Sequence, residues 1–193
     1  MSSIKLTADS GGGTFEIKAP SSSGNTRVLT LPDTGNYILG GRILQVVQTT
    51  KTDTFSTSST SFTDVTGLSA SITPSSSSNK VLFLYTTNYS HKASYVHLRL
   101  VRGSTSILIG DASSNRTRAT FGAWLPNSTD IEYEGNVFSG SYLDSPSTTS
   151  ATTYKIQMRV TANSGYLNFL QGNDDNAYTP VMASSIVLLE VAG

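Results

Sequence analysis

Two histidines, His91 and His97, lie six residues apart. On one continuous strand an even spacing would put both on the same face, and copies around a three-fold axis could then share a metal ion. Lys92 and Ala93–Ser94 read as a turn between them, however, and no carboxylate or third ligand stands nearby, whereas zinc takes three or four protein ligands. They are then two exposed polar positions, with His97 on a solvated strand face, and no metal or other cofactor is expected. The stretch Gly172–Asn173–Asp174–Asp175–Asn176 offers hard oxygens, but calcium needs about six to eight of them at a spacing this loop lacks. Glu132 and Glu134 fall on one face of a predicted strand, where paired carboxylates could serve glycoside chemistry; solvated strand faces carry such pairs just as well. Trp124 is the only tryptophan. Placed between Gly122 and Pro126, it reads as a loop residue whose ring could stack on a sugar or anchor a protein contact; the alternative is a plug under the sandwich edge. Trp124, Asp174, Asp175 and Tyr178 together are the candidate receptor contacts.

Other chemistries find no support. Gly11–Gly12–Gly13 lacks the following helix that phosphate binding uses, and there is no Walker loop, dinucleotide fingerprint, His-Glu-x-x-His or Gly-x-Ser-x-Gly. The chain has no cysteine, so it has neither a disulfide framework nor a thiolate site. With 13 basic and 13 acidic side chains it has no net charge, which argues against a nucleic-acid partner. Apolar runs of about four residues, as in Ile186–Leu189, are far short of a membrane span. The N-terminus lacks the apolar core of a signal peptide, so folding in the cytoplasm is expected. Serine and threonine number 57 of 193 residues; solubility rests on hydroxyls, and near-zero net charge favours association. A non-enzymatic assembly component fits these features.

The elements that must position these residues are strands. In Tyr95–Val96–His97–Leu98–Arg99–Leu100 the apolar residues alternate with polar ones, and Tyr154–Val160 alternates more cleanly still. That period of two predicts half-buried antiparallel strands. Further strands are predicted near 43–50, 61–66, 68–73, 80–88, 105–110, 117–121, 131–143, 165–171 and 183–191. No window carries a helical stripe, so the expected class is all-β, an antiparallel jelly-roll-like sandwich. Val81–Tyr85 and Ile186–Leu189 are apolar on both faces, which implies cover on both sides, from a neighbouring sheet plus another subunit or, as readily for 81–85, from within one subunit. Ile186, Val187, Leu188 and Leu189 are therefore the candidate subunit-interface residues.

Residues 1–40 differ in kind from 41–193, and the boundary is drawn at Gly40–Gly41. The first segment offers three short strand-like pieces, 4–7, 14–18 and 27–31, too few to bury a core alone. Ile4, Leu6, Phe15, Ile17, Val28 and Leu29 are its candidate anchoring residues. Phe15–Glu16–Ile17–Lys18–Ala19–Pro20, then Ser21–Gly24, then Asn25–Asp33, closing on Gly35 and Ile38–Leu39, resembles a module of bacteriophage fibre proteins, especially those of phages of marine bacteria and cyanobacteria. The start of the following segment, Gly41–Val47, and the Leu100–Thr105 hairpin are similar to the heads those modules precede. The resemblance implies a trimer and a virion protein assembled in the host cytoplasm, attached to other virion proteins of baseplate, tail or capsid. Only a few residues precede the module, so a short appendage is expected rather than a long fibre.

Two functions compete on this reading. One is a trimeric appendage whose β-sandwich head touches a host-surface glycan or protein. The other is a trimeric decoration protein locked onto the capsid by residues 1–40.

Overall fold

A computed structural model describes residues 43–91, 93–125, 134–170, 172, 175 and 177–193, together with the backbone of 3–7 and 14–18. The chain divides into two compact units, Met1–Leu39 and Gly40–Gly193. In the first, β1 (Ser3–Thr7) and β2 (Thr14–Lys18) form an antiparallel pair that sets Ile4 opposite Ile17 and Leu6 opposite Phe15. Four of the six anchoring candidates are thus cross-strand partners; Val28 and Leu29 lie outside the described residues.

The second unit contains β3 (Ile43–Lys51), β4 (Phe55–Thr57), β5 (Thr63–Ile72), β6 (Lys80–His91), β7 (Ser94–Arg102), β8 (Thr105–Ile107), β9 (Phe121–Leu125), β10 (Asn136–Asp144), β11 (Thr152–Val160), β12 (Gly165–Leu167) and β13 (Ser184–Val191). Sheet one runs β3–β13–β6–β10, with β12 and then β4 continuing beside the far end of β6. Sheet two runs β5–β11–β7–β9, with β8 also on β7. The chain changes sheet from β5 to β6, β6 to β7, β9 to β10 and β10 to β11, so the long strands interleave and sequence neighbours seldom pair within a sheet. With the short β4, β8 and β12 set aside, this strand order is that of a jelly roll, four strands in each of two antiparallel sheets packed face to face.

The alternation of the sequence is what fills the core. Val81, Phe83 and Tyr85 from sheet one meet Leu98, Leu100, Tyr154 and Ile156 from sheet two, all buried. The Phe83 and Tyr154 rings meet edge to face at 5.6 Å and 71°, a favoured aromatic geometry. Ile186 and Leu188 also point inward and are fully buried. They are core residues, which removes them from the interface candidates and leaves Val187 and Leu189 on the opposite face.

Buried polar clusters lock the ends. At one end, which we call the base, Arg102 Nη1 donates to both oxygens of Asp144 (2.9 and 2.8 Å) and the Tyr154 hydroxyl donates to Oδ2 at 2.6 Å. Asp144 belongs to sheet one, Arg102 and Tyr154 to sheet two, so this cluster pins the sheets together. Burial and the Asp144 carboxylate both push the Tyr154 hydroxyl well above its ordinary pKa. Also at the base, Glu190 Oε1 accepts from the Ser75 backbone N–H, the Ser75 hydroxyl and Asn79 Nδ2 at 2.6–2.7 Å. At the other end, the tip, Asn168 Nδ2 donates to the Lys51 and Asp53 carbonyls, each at 2.9 Å.

Several sequence expectations shift. The predicted strands 61–66 and 68–73 are one strand, β5, bent where Gly67 takes a φ of +80° opposite a register slip in β11; only glycine adopts that conformation without strain. The strand predicted at 117–121 begins at Phe121 and continues to Leu125, and the one at 105–110 stops at Ile107. Strand β4 was not foreseen.

Candidate functional site

The two sheets turn unlike faces outward. On sheet one, register places Val46, Leu189, Leu82 and Leu143 side by side across all four strands. The neighbouring row is Gln48, Val187, Leu84 and Ser141. Val46 is 60% exposed and Leu143 47%, with the central residues half-buried between them. Ile43, opposite Val191 and more than half exposed, extends this apolar surface at the base, while towards the tip a polar row of Thr50, Ser185, Thr86 and Ser139 bounds it. The two strands that the sequence marks as apolar on both sides, β6 and β13, are the central neighbours of this face. A contiguous exposed apolar surface of this kind marks an interaction site.

The outer face of sheet two is polar, aromatic and basic. Its rungs are Trp124 beside Tyr95, then Gly122, His97 and Arg159, then Arg99, Gln157 and Asp64. Trp124 and Tyr95 are 52% and 50% exposed, with ring centroids 6.1 Å apart. Tyr95 stacks on His97 at 6.2 Å and 12°. A side chain at Gly122 would press on that imidazole, since a Cβ there would lie 3.1 Å from His97 Cδ2. Burial, and secondarily the Arg159 cation, hold His97 below its ordinary pKa, so the ring is neutral. The Arg99 guanidinium lies 4.0 Å over the Phe62 ring and donates to Gln157 at 2.7 Å. Asp64 takes Lys155 (2.7 Å) and Gln157 (2.6 Å), and the Lys155 bond is the chief cause of its lowered pKa. Arg159 is different: Nη1 donates to Thr117 at 3.0 Å, Nε is buried without a partner, and among the described residues no carboxylate pairs with it.

Trp124 therefore lies on strand β9, neither on a loop nor packed under the sandwich edge. It has the exposed ring a contact residue needs. Tyr178 is 91% exposed and Asp175 is exposed in the segment between β12 and β13; Asp174 lies outside the described residues. Trp124 is at the tip, since β9 ends opposite Ser94; β12 starts there, with Gly165 opposite His91, and runs on to Leu167 opposite Tyr89. Strand β3 begins at the base, where Ile43 pairs with Val191.

His91 corrects the expectation of an exposed residue. It is fully buried, stacked parallel on Tyr89 at 6.0 Å, with neither nitrogen hydrogen-bonded. Burial lowers its pKa against a small opposing pull from the Ser94 backbone. Glu134 lies before β10, not on a strand, and Glu132 lies outside the described residues. Among the described residues no group of three or more His, Cys, Asp or Glu could hold a metal. Sequence reasoning missed the roles of Tyr95, Arg159 and Phe62, although the alternation of 95–100 and 154–160 already turned His97, Arg99 and Arg159 outward.

No protein-family profile matches this chain, and no curated protein matches it. Among solved structures, it is similar to a chain in the structure of infectious bursal disease virus, Gt strain, at TM-score 0.40 and 14% identity, over 79% of this chain and 38% of that one. The Gx strain gives TM-score 0.37 and 13% identity, over 77% and 37%. This chain spans less than two fifths of the length of either. The jelly-roll assignment rests on the strand order itself.

Proposed function

We propose that this protein is a non-enzymatic virion structural protein of a bacteriophage, a short trimeric appendage whose jelly-roll head meets the host surface. The carrying observation is the polarity of the head: the chain enters β3 at the base, while the exposed Trp124 stands at the tip. Residues 1–40 then attach to baseplate, tail or capsid, and residues 41–193 present. The resemblance of residues 14–39 to fibre modules supports the attachment half. The apolar outer face of sheet one supports the trimer, because Leu82, Leu84, Val187 and Leu189 need cover that a second copy supplies.

The test is copy number in purified particles together with adsorption to host cells. An appendage is present in tens of copies or fewer, and Trp124→Ala lowers adsorption while sparing assembly. Copy number that follows capsid symmetry, with adsorption unchanged by Trp124→Ala, replaces this reading with a capsid decoration protein.

A further inference from the structure

The outer face of sheet two holds a set of groups that the fold does not use. Trp124 and Tyr95 expose neighbouring rings on one rung, and neither is needed to fill the core. One rung away, Arg159 carries a cation with no carboxylate partner among the described residues and a buried Nε without an acceptor. On the Arg159 rung His97 separates Arg159 from Gly122, which leaves β9 without a side chain there, and the His97 ring is nearly parallel to that of Tyr95 with centroids 6.2 Å apart. We infer that this face binds a carboxylated sugar, its pyranose ring stacked on Trp124 and Tyr95 and its carboxylate held by the Arg159 guanidinium.

The geometry and charge select this ligand. Arg159 lies one outward rung on and one strand over from Tyr95, about 7 Å along the strands and about 5 Å across them, a separation that its long side chain, the exocyclic carboxylate of a stacked sugar and one charge-assisted hydrogen bond together span. Aromatic faces match the C–H face of a pyranose, and a guanidinium matches a carboxylate fork. Of the other cations on these rungs, Lys155 is tied to Asp64 and Arg99 is held by Gln157 over Phe62. Arg159 donates to Thr117 and lies 5.9 Å from the Phe62 ring, but it is the cation on the rung next to the two rings, and one such cation suits one carboxylate per site, not the run of phosphates that a nucleic acid presents. An open sheet face makes each site weak, and copies in an assembly would supply avidity. The inference deepens the adhesive reading and rests on it for its biological role.

Trp124, as the only tryptophan, lets intrinsic fluorescence of the full chain report on this face directly. The probes are trigalacturonate and its methyl ester, with oligothymidylate as a third. The expected result is a saturable change with trigalacturonate and binding about tenfold weaker for the ester. Arg159→Gln should weaken the acid by a similar factor and leave the ester unchanged, and Arg159→Lys should fall between. An unchanged circular dichroism spectrum keeps either variant interpretable. No fluorescence change up to about 10 mM trigalacturonate, equal binding of acid and ester, or tighter binding of oligothymidylate would each overturn the assignment. Adsorption and copy number decide the appendage reading separately, so the two can fail independently.

Discussion

The two outer faces of the jelly roll differ although one core supports both. Sheet one presents Val46, Leu189, Leu82 and Leu143 in a single row, with no charged side chain in it. Sheet two presents Trp124, Tyr95, His97, Arg159, Arg99 and Asp64 at the corresponding outward positions. Strand alternation alone would make both faces polar, because inward residues already fill the core. The departure on sheet one costs solubility and returns no stability to an isolated subunit, which is why it points to a covering partner. The departure on sheet two keeps solubility but leaves Arg159 without a carboxylate partner among the described residues, which points to a ligand. The contrast teaches that burial explains the inward residues, while a contiguous outward row that breaks the polar rule points to a second molecule.

The sharpest break in that comparison comes from adjacent residues on β13. Leu188→Asp puts an unpaired carboxylate into the core and should cost roughly 3–5 kcal/mol or more, enough to unfold the subunit in a urea titration. Leu189→Asp, one residue on, changes the outer face and should leave the subunit folded while dissociating the assembly. Equal unfolding by both would make β13 an ordinary two-sided core strand and erase the distinction between faces.

Next is the cluster that holds the two sheets in register. Asp144→Ala strands the buried Tyr154 hydroxyl and removes the carboxylate partner of Arg102, leaving its bond to the Ser145 carbonyl, and should cost about 3 kcal/mol. Both faces should loosen together, read as increased amide exchange on β10 and β7 alike. Exchange that rises on one sheet only would show that the faces are stabilised independently.

Titration sharpens the comparison further. His91 and His97 are both held below their ordinary value of 6.5 in the folded chain. The unfolded chain takes up its protons first as pH falls, so their contribution is full above that value and declines below it, down to the depressed folded values. His91→Phe should reduce this decline and raise stability by about 1 kcal/mol by removing a buried ring with unpaired nitrogens. Glu190 acts at lower pH. Burial raises its pKa, but the Asn79 and Ser75 donors outweigh it, leaving the group below 4.5. Its contribution is present above 4.5 and is lost as pH falls through the depressed folded value. Thermal melts against pH should show both windows, and His91→Phe should alter only the upper one.

The smallest effect is expected on the face of sheet two. Asp64→Asn loses an exposed ion pair to Lys155 and should change stability by about 0.5 kcal/mol or less. A larger loss in a denaturant titration would mean that this face holds the fold together and is not reserved for a ligand.

Much of this architecture could be read from residue order. Tyr154–Val160 and Tyr95–Leu100 alternate so plainly that β11 and β7 follow, and the doubly apolar 81–85 and 186–189 stretches proved to be adjacent central strands of one sheet. Strand β9 could not be read, because Gly122 and Ala123 weaken the alternation of Phe121–Leu125 and only its pairing with β7 defines it. Burial of His91 was hidden for a related reason: its neighbours Ser90 and Lys92 look like a surface turn, and the tight end of β6 against Gly165 is a tertiary fact. The rungs of sheet two join residues as far apart in sequence as Asp64 and Lys155, so no local pattern could assemble them.

The central claim is that the apolar outer face of sheet one is covered by other copies of this chain. Sedimentation equilibrium of the full chain at micromolar concentration tests it most directly. The account predicts a species of three times the 20.5 kDa chain mass, reduced to a folded single chain by Leu189→Asp. A stable monomer for the unaltered chain, or a Leu189→Asp variant that remains fully associated, would contradict it.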